Sequence, residues 1–253
     1  MPVFFGPLVT MQKRDILFGI AAIAVAMATV PVCAQSNASF EILTHRMDVD
    51  VDGAPRAYGP PGKPALDYLS NAHLRGNPDA EVVGYLTDDD HPNVPVKQGP
   101  GDPAPGYYIS QTAYTDKART EERDVRRYVD ATKINYVVLG SAAKRRGARL
   151  GDFVSVYSKR TGKAVFGIVG DDGNPSGDEG SLHLLQELGY PFHDGKEDAV
   201  EDREIVVRFY PGSNPERLFF TSQVRLDAAA ESAGVSRDFG GSPGKGREHP
   251  TGQ

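Results

Sequence analysis

The centre of the chain carries the stretch Phe166-Gly167-Ile168-Val169-Gly170-Asp171-Asp172-Gly173-Asn174-Pro175-Ser176-Gly177-Asp178-Glu179-Gly180-Ser181. Its first residues end an apolar, β-branched run that is typical of a buried strand. Glycine, asparagine and proline then form a segment that favours tight turns. Ser181 stands before the leucine-rich residues 182–188, where it is a good N-cap for a short helix. The stretch therefore predicts a strand that ends at Asp171, a loop with carboxylates at both ends, and a helix.

Strand patterns surround this stretch. Residues 153–157 and 164–170 flank the turn-forming residues 159–163, which predicts a β-hairpin. Residues 136–139 and 204–210 are further β-branched or aromatic runs. The order of hairpin, strand, glycine-rich loop and short helix resembles the double-psi β-barrel of secreted glycan-cleaving proteins. We therefore predict a mainly β fold, a small β-barrel with a short helix after the central loop.

An acidic alternation lies further upstream. Asp48, Asp50 and Asp52 alternate with apolar residues, so a strand here would place all three acids on one face. The same residues match the first half of a calcium-binding loop, but the twelfth position is Gly59 instead of the bidentate glutamate that such a loop needs. A second candidate loop at Asp172 fails in the same way. We predict no metal and no cofactor.

Composition restricts the partners. The chain has 28 Lys and Arg against 34 Asp and Glu, a formal net charge of -6. Nucleic acid needs basic patches and is not an expected partner. The central loop carries no lysine of the kind that binds phosphates, and no zinc-binding spacing of histidines occurs. An acidic surface suits a polycation instead.

The N-terminal residues 1–34 have the pattern of an export signal. Lys13 and Arg14 precede an apolar run over residues 16–30, and Val32-Cys33-Ala34 provides small residues for cleavage before Gln35. The alternative is a membrane anchor, but the run is short for a spanning helix. We expect residues 1–34 to be removed, with residues 1–10 an over-long start assignment. The mature protein would then be secreted or periplasmic, free of membrane, and without its single cysteine.

The remaining chain divides at residue 222. Residues 35–222 are predicted to form one domain, and residues 223–253 a disordered tail because they turn to Ala, Ser, Gly, Pro and charge. Within the domain, residues 53–65 and 91–106 are Pro- and Gly-rich loops. The loop residue Tyr58 could pack in the core or stack on a sugar ring. A monomer is expected.

Several of these pieces, in this order, resemble one enzyme family. The pieces are residues 150–157, Arg160-Thr161-Gly162-Lys163, residues 166–171, Glu179-Gly180-Ser181 and residues 185–189, with residues 47–60 and 106–110 upstream. Together they resemble glycoside hydrolase family 75, the fungal-type chitosanases and their bacterial relatives. The likeness covers roughly residues 40 to 215. It implies a secreted endo-acting hydrolase of β-1,4-linked glucosamine that inverts the anomeric carbon.

The resemblance also implies roles for individual residues. Asp171 corresponds to the general base and Glu179 to the general acid of the family's carboxylate pair. Asp172 is the rival of Asp171, and alternation along a strand predicts that only one of them faces the cleft. The family more usually has Gly where Asp178 stands. Asp178 could raise the proton affinity of Glu179 or displace it from its working position.

Three functions remain open at this point. The first is a chitosanase with Asp171 and Glu179 as catalytic residues, and the second is a hydrolase of peptidoglycan or another cell-wall glycan. The third is a glycan-binding module without catalysis. The predicted substrate-binding residues are Asp48, Asp50, Asp52, Asp172 and Tyr58.

Overall fold

The computed structural model describes residues 1–2 and 38–240 of the chain. Apart from its first two residues, the predicted leader lies outside the described residues, as does the end of the predicted tail (241–253). The described part is mainly β, with an eight-stranded sheet that curls into a half-barrel. The predicted mainly β barrel is therefore confirmed.

The sheet is built from eight short strands. They are β1 (Phe40–Leu43), β2 (Met47–Asp50), β3 (Tyr136–Val138), β4 (Phe153–Ser158), β5 (Ala164–Asp171), β6 (Glu179–Ser181), β7 (Ala199–Val200) and β8 (Ile205–Phe209). Three α-helices accompany them: α1 (Ser141–Arg145), α2 (Leu182–Glu187) and α3 (Gln223–Ser232). Short 3₁₀ helices cover Leu69–Ala72, Leu74–Gly76 and Val125–Arg127.

The strand order is β1-β8-β4-β5-β3-β6-β2-β7. The predicted hairpin forms the antiparallel pair β4–β5, in which Phe153 lies opposite Ile168. Nearly every residue of both strands is buried, which explains why they read as continuous apolar runs. Two pairs are parallel, β3 with β5 and β2 with β6, and strands β3 and β6 lie between β5 and the acidic strand β2.

The predicted acidic strand also forms, as β2. Its burial alternates, with Met47 and Val49 in the core and Asp48 and Asp50 on the opposite, partly exposed face. The helix after the central loop is α2, and the Ser181 hydroxyl accepts a hydrogen bond from the Leu184 N–H as an N-cap does. The helix is confirmed, and the acidic strand is confirmed for Asp48 and Asp50, whereas Asp52 follows the end of β2 in a turn.

The prediction of a disordered tail from residue 223 is wrong for residues 223–240. Helix α3 occupies residues 223–232, and its Leu226 and Ala230 are fully buried. The Gln223 side chain accepts a hydrogen bond from the Asn135 N–H at 2.8 Å and donates one to the Phe166 carbonyl at 3.2 Å. The segment has few apolar residues, so its composition resembled a tail, but those few are spaced to meet the sheet.

Leu226→Ala is therefore expected to destabilise the domain by about 3 kcal/mol, because it leaves a cavity where a fully buried side chain packs. Val224→Ala in the same helix is the matched control, since Val224 is 78% exposed. It should change stability by less than about 0.5 kcal/mol. Urea unfolding of both variants measures the difference, and equal stabilities would show that α3 does not pack on the sheet.

Within the part of the chain that the structure describes, no helix combines the length and the apolar character needed to cross a membrane.

Candidate functional site

Four neighbouring strands bring the predicted site residues together. Asp171 ends β5 and lies opposite Val138 of β3, while Glu179 begins β6 opposite Asp48 of β2. Because β6 lies between β3 and β2, the carboxylates meet along one edge of the half-barrel. A cleft of about 490 Å³ opens there. It is lined by all seven predicted site residues: Asp48, Asp50, Asp52, Tyr58, Asp171, Asp172 and Glu179.

The cleft is strongly acidic. Its lining also includes Asp67, Glu197 and Asp198, against the basic residues Arg46 and Lys196. Four ion pairs of the described residues stand around it: Arg46 with Asp48, Arg46 with Glu201 at 3.3 Å, Lys144 with Asp172 at 2.6 Å, and Lys196 with Asp194 at 3.0 Å. Within residues 38–240, no basic side chain forms an ion pair with the deeper acids Asp50, Asp52, Asp67, Asp171 and Glu179.

Asp171 is only 7% exposed. Its Oδ1 atom accepts hydrogen bonds from the N–H groups of Ala113 and Asp172, both at 2.7 Å, which fix the orientation of the carboxyl. Burial and the nearby charge of Asp50 raise the pKa of Asp171 well above its usual range, and the two N–H donors oppose this rise.

Glu179 is partly buried on the same cleft. Burial, followed by the charge of Asp50, raises the pKa of Glu179 to about 8. Its Oε1 atom accepts a hydrogen bond from the Asn174 amide at 2.7 Å, which favours the ionised form but does not outweigh burial. At neutral pH Glu179 is a carboxylic acid with a proton to donate.

The structure resolves the question that Asp178 posed. Asp178 is not part of the cleft lining, and its carboxyl interacts with His45 instead. Its backbone carbonyl accepts a hydrogen bond from the Asp48 N–H at 2.9 Å, which holds β6 against β2. Asp178 therefore does not displace Glu179, and its charge contributes least among the causes that raise the pKa of Glu179.

Asp50 and Asp52 form the floor of the cleft with Asp171. One carboxylate oxygen from each of the three lies within 4.8 Å of the other two. Burial raises the pKa of Asp50 to about 6, and burial together with the charges of Asp50 and Asp171 raises the pKa of Asp52 well above its usual range. Carboxylates this close attract any cation, whether a proton, an ammonium group or a divalent metal with oxygen ligands.

Tyr58 does not offer a stacking platform, the alternative that the sequence left open. Its side chain is 2% exposed and packs against Tyr85 with ring centroids 5.7 Å apart. Its hydroxyl hydrogen-bonds the carboxyl of Asp52 and so lowers the pKa of that acid. Tyr58 belongs to the cleft floor and supports Asp52, because the 53–65 loop folds back across the core.

The prediction that only one of Asp171 and Asp172 faces the cleft is wrong, since both line it. Alternation holds only inside a strand, and β5 ends at Asp171. The two acids differ in their neighbours instead. Asp172 is paired with Lys144, whereas Asp171 is buried without an ion pair in the described part of the chain.

Three residues that line the cleft or pair with its acids escaped the sequence analysis. Asn174 lies in the central loop, where asparagine is common for turn formation alone, so nothing marked it as the partner of Glu179. Asp67 follows a loop with no strand pattern, and its place on the cleft depends on contacts distant in sequence. Lys144, the third, forms an ion pair with Asp172, and nothing in its own part of the sequence connected it with the central loop.

The raised pKa values predict a pH-dependent stability. Asp50, Asp67 and Glu179 have pKa values of about 6, about 7 and about 8 in the folded chain, above the usual 3.8 to 4.5. The folded state then retains protons that the unfolded state releases, so the free energy of unfolding falls as pH rises through this window. Thermal denaturation between pH 5 and 8.5 should show the fall.

Glu179→Gln should make this pH profile flatter up to about pH 8, because it removes one of the retained protons. Asp79→Asn, an exposed acid outside the cleft lining, serves as the control and should keep the wild-type slope. A wild-type profile that rises from pH 6 to pH 8.5 would contradict the proton uptake.

The cleft thus combines a proton donor at neutral pH, an oriented second carboxyl, and a floor of acids that lack basic partners among the described residues. It suits a cationic ligand and proton transfer at a bond placed between Asp171 and Glu179. No protein-family model matches this chain, and a comparison with curated proteins found no match.

Proposed function

We propose that this protein is an exported endo-chitosanase that hydrolyses β-1,4-linked glucosamine with inversion of the anomeric carbon. Glu179 is the general acid and Asp171 the general base. The observation that carries the proposal is that the pKa of Glu179 is raised to about 8 in a cleft lined by acids, so that its carboxyl keeps a proton at neutral pH. A glycosidase needs such an acid to protonate the leaving oxygen. The resemblance to family 75 supports the same two residues.

The charge of the cleft supports glucosamine as the sugar. Chitosan carries amino groups that are protonated in mildly acidic water, and the floor acids Asp50 and Asp52 lack basic partners in the described chain. Ammonium groups would supply the missing positive charge. Asp48 lies two residues before Asp50 on β2 and opposite Glu179, and its charge contributes to the same negative field.

Substrate charge also resolves the protonation of Asp171. A general base must be ionised, yet burial and the charge of Asp50 raise the pKa of Asp171 well above its usual range in the free protein. Ammonium groups bound at Asp50 and Asp52 would offset the negative charge around Asp171 and lower its pKa. Binding of a cationic sugar chain thereby prepares Asp171 to accept a proton from water. An uncharged glycan would not do this, which makes the chemistry selective for chitosan.

The reaction then follows from the two carboxyls. Glu179 donates its proton to the glycosidic oxygen as the bond breaks, and Asp171 takes a proton from a water molecule that attacks the anomeric carbon from the opposite face. The two N–H donors from Ala113 and Asp172 hold Asp171 in one orientation, as water activation requires. The products are a new reducing end of inverted configuration and a free hydroxyl on the leaving sugar.

A glycan-binding module without catalysis is the second candidate. It is favoured by one observation, the raised pKa of Asp171, because a carboxyl that stays protonated with substrate bound cannot act as a base. Such a cleft would still bind a polycation through Asp50 and Asp52. Binding of chitosan without any release of reducing ends would favour this candidate.

Product analysis tests the proposal. The purified protein is incubated with chitosan, chitin and peptidoglycan, and the release of reducing ends is measured on each. We expect turnover on chitosan, with the α-anomer appearing first in proton resonance spectra of the products. First appearance of the β-anomer would exclude inversion. Turnover on peptidoglycan alone would establish a cell-wall glycan hydrolase instead.

A further inference from the structure

Asp67 is an acid of the cleft that the proposed mechanism does not use. It is 8% exposed, and it lines the same cleft as Asp50 and Asp171. Its backbone N–H donates to the Ala57 carbonyl at 3.0 Å, which fixes the segment against the 53–65 loop. The neighbouring 3₁₀ helix Leu69–Ala72 begins two residues later. Asp67 is thus a rigidly placed side chain.

The two oxygens of the Asp67 carboxyl have different surroundings. Oδ1 accepts hydrogen bonds from the Tyr68 N–H at 2.7 Å and from the Asn71 amide at 2.8 Å. Oδ2 has no hydrogen-bond or ion-pair partner among residues 38–240. Asp67 lines the cleft and Oδ2 is not a buried atom, so this oxygen is free to accept a hydrogen bond from a cationic ligand in the cleft.

Space beside Oδ2 depends on Gly195. A Cβ atom at position 195 would lie 3.2 Å from Oδ2 and 3.1 Å from the Val49 carbonyl oxygen. Gly195 also lines the cleft, and its N–H donates to the Leu66 carbonyl at 2.9 Å. The absence of a side chain here leaves the free oxygen accessible from the cleft. The charges of Asp50 and Asp194 add to the negative field at this point.

We propose that Asp67 is a specificity-determining residue whose Oδ2 atom binds the 2-ammonium group of a glucosamine unit. The proposal rests on the function proposed above, and it adds a recognition point away from the Asp171 and Glu179 pair. An ammonium donates strongly to a carboxylate oxygen, whereas an N-acetyl group offers no positive charge and is bulkier. Asp67 would therefore separate glucosamine from N-acetylglucosamine.

Asp67→Asn is the informative variant. The asparagine oxygen can keep the two hydrogen bonds from Tyr68 and Asn71, while its NH₂ group replaces the free oxygen and opposes an ammonium group. Asp79→Asn is the matched control, because it removes the same charge at an exposed position outside the cleft lining. Circular dichroism and thermal denaturation check that both variants fold.

Binding is measured by calorimetry with two thio-linked tetramers, one of glucosamine and one of N-acetylglucosamine, because sulfur linkages resist hydrolysis. We expect Asp67→Asn to weaken binding of the glucosamine tetramer about tenfold, the loss of one charge-assisted hydrogen bond. Binding of the acetylated tetramer should change less than about twofold, and Asp79→Asn should change neither. Equal effects on both tetramers, no effect on either, or no binding of the glucosamine tetramer to the wild type would overturn the proposal.

The outcomes separate this inference from the proposed function. If the wild type releases reducing ends from chitosan but Asp67→Asn keeps its preference for the glucosamine tetramer, Asp67 has no role in recognition and the enzyme assignment stands. If binding depends on Asp67 but no glycan is cleaved, the recognition stands and the protein is a binding module. If Asp67→Asn does not fold, Gly195→Ala replaces it. The added methyl group lies against Oδ2, so the same selective loss is expected.

Discussion

Glu179→Gln is expected to lower kcat on chitosan by about a thousandfold, because the amide cannot supply the proton that the leaving oxygen needs. Glutamine has nearly the same shape and its carbonyl can still accept the hydrogen bond from Asn174. The site should therefore keep its structure and its affinity for substrate. A loss confined to kcat, with KM within about threefold of the wild type, would identify a group that acts in the transition state.

Asp178→Asn is the matched control for this variant. Asp178 precedes Glu179 in sequence and is also a carboxylic acid side chain, but its carboxyl interacts with His45 and lies outside the cleft lining. The activity of the Asp178→Asn variant should stay within about threefold of the wild type. Its pH profile should shift slightly towards acid, because removal of one negative charge near Glu179 lowers the pKa of that residue. Steady-state kinetics from pH 4 to pH 9 measures both variants. Full activity in Glu179→Gln would exclude Glu179 as the acid.

Gly53→Ala is expected to have the largest effect on folding, a loss of more than about 4 kcal/mol. Gly53 has a φ of 74°, and a Cβ atom there would lie 1.9 Å from the carbonyl oxygen of Val129. The clash cannot be relieved by a side-chain rotation, because Val129 is fully buried and its N–H donates to Thr112. The loss is comparable to the whole stability of many domains, so little folded protein is expected.

Gly62→Ala controls for backbone conformation. Gly62 has a φ of 87°, but nothing lies within 4 Å of the position that a Cβ atom would occupy. It should lose only about 1 to 2 kcal/mol, the ordinary cost of a left-handed conformation for a residue with a side chain. Urea unfolding and soluble yield compare the two variants. Similar losses in both would show that the close contact with Val129 is relieved elsewhere in the structure.

The parts of the fold that sequence predicted are those with local causes. The hairpin β4–β5, the end of β5 at Asp171 and the capped helix α2 each follow from side-chain periodicity, turn residues or a single N-cap. The acidic face of β2 follows from alternation alone. These patterns operate within a few residues, so one sequence suffices to find them.

The parts that sequence missed depend on distant contacts. Helix α3 is stabilised by the burial of Leu226 and Ala230 and by the hydrogen bonds of the Gln223 side chain. No local sequence pattern predicts these contacts. The sequence did not distinguish a core position from a surface position for Tyr58, which is buried because its loop folds back over the core. Asp67 reaches the cleft for the same reason. The positions of these residues depend on contacts between segments that are distant in sequence, and such contacts cannot be predicted from local composition.

The pairing of strands has a kinetic consequence. Strand β1 pairs with β8, and β2 pairs with β6, so both N-terminal strands close loops of well over a hundred residues. Closing loops of this length lowers the entropy of the chain before the strand contacts form and stabilise it. Folding is therefore slow in domains dominated by long-range pairing. Asp50 meets Asp171 only after that closure. The mutual repulsion of the acids is thus imposed late, and mildly acidic solution should slow unfolding by protonating them, with little effect on the refolding rate.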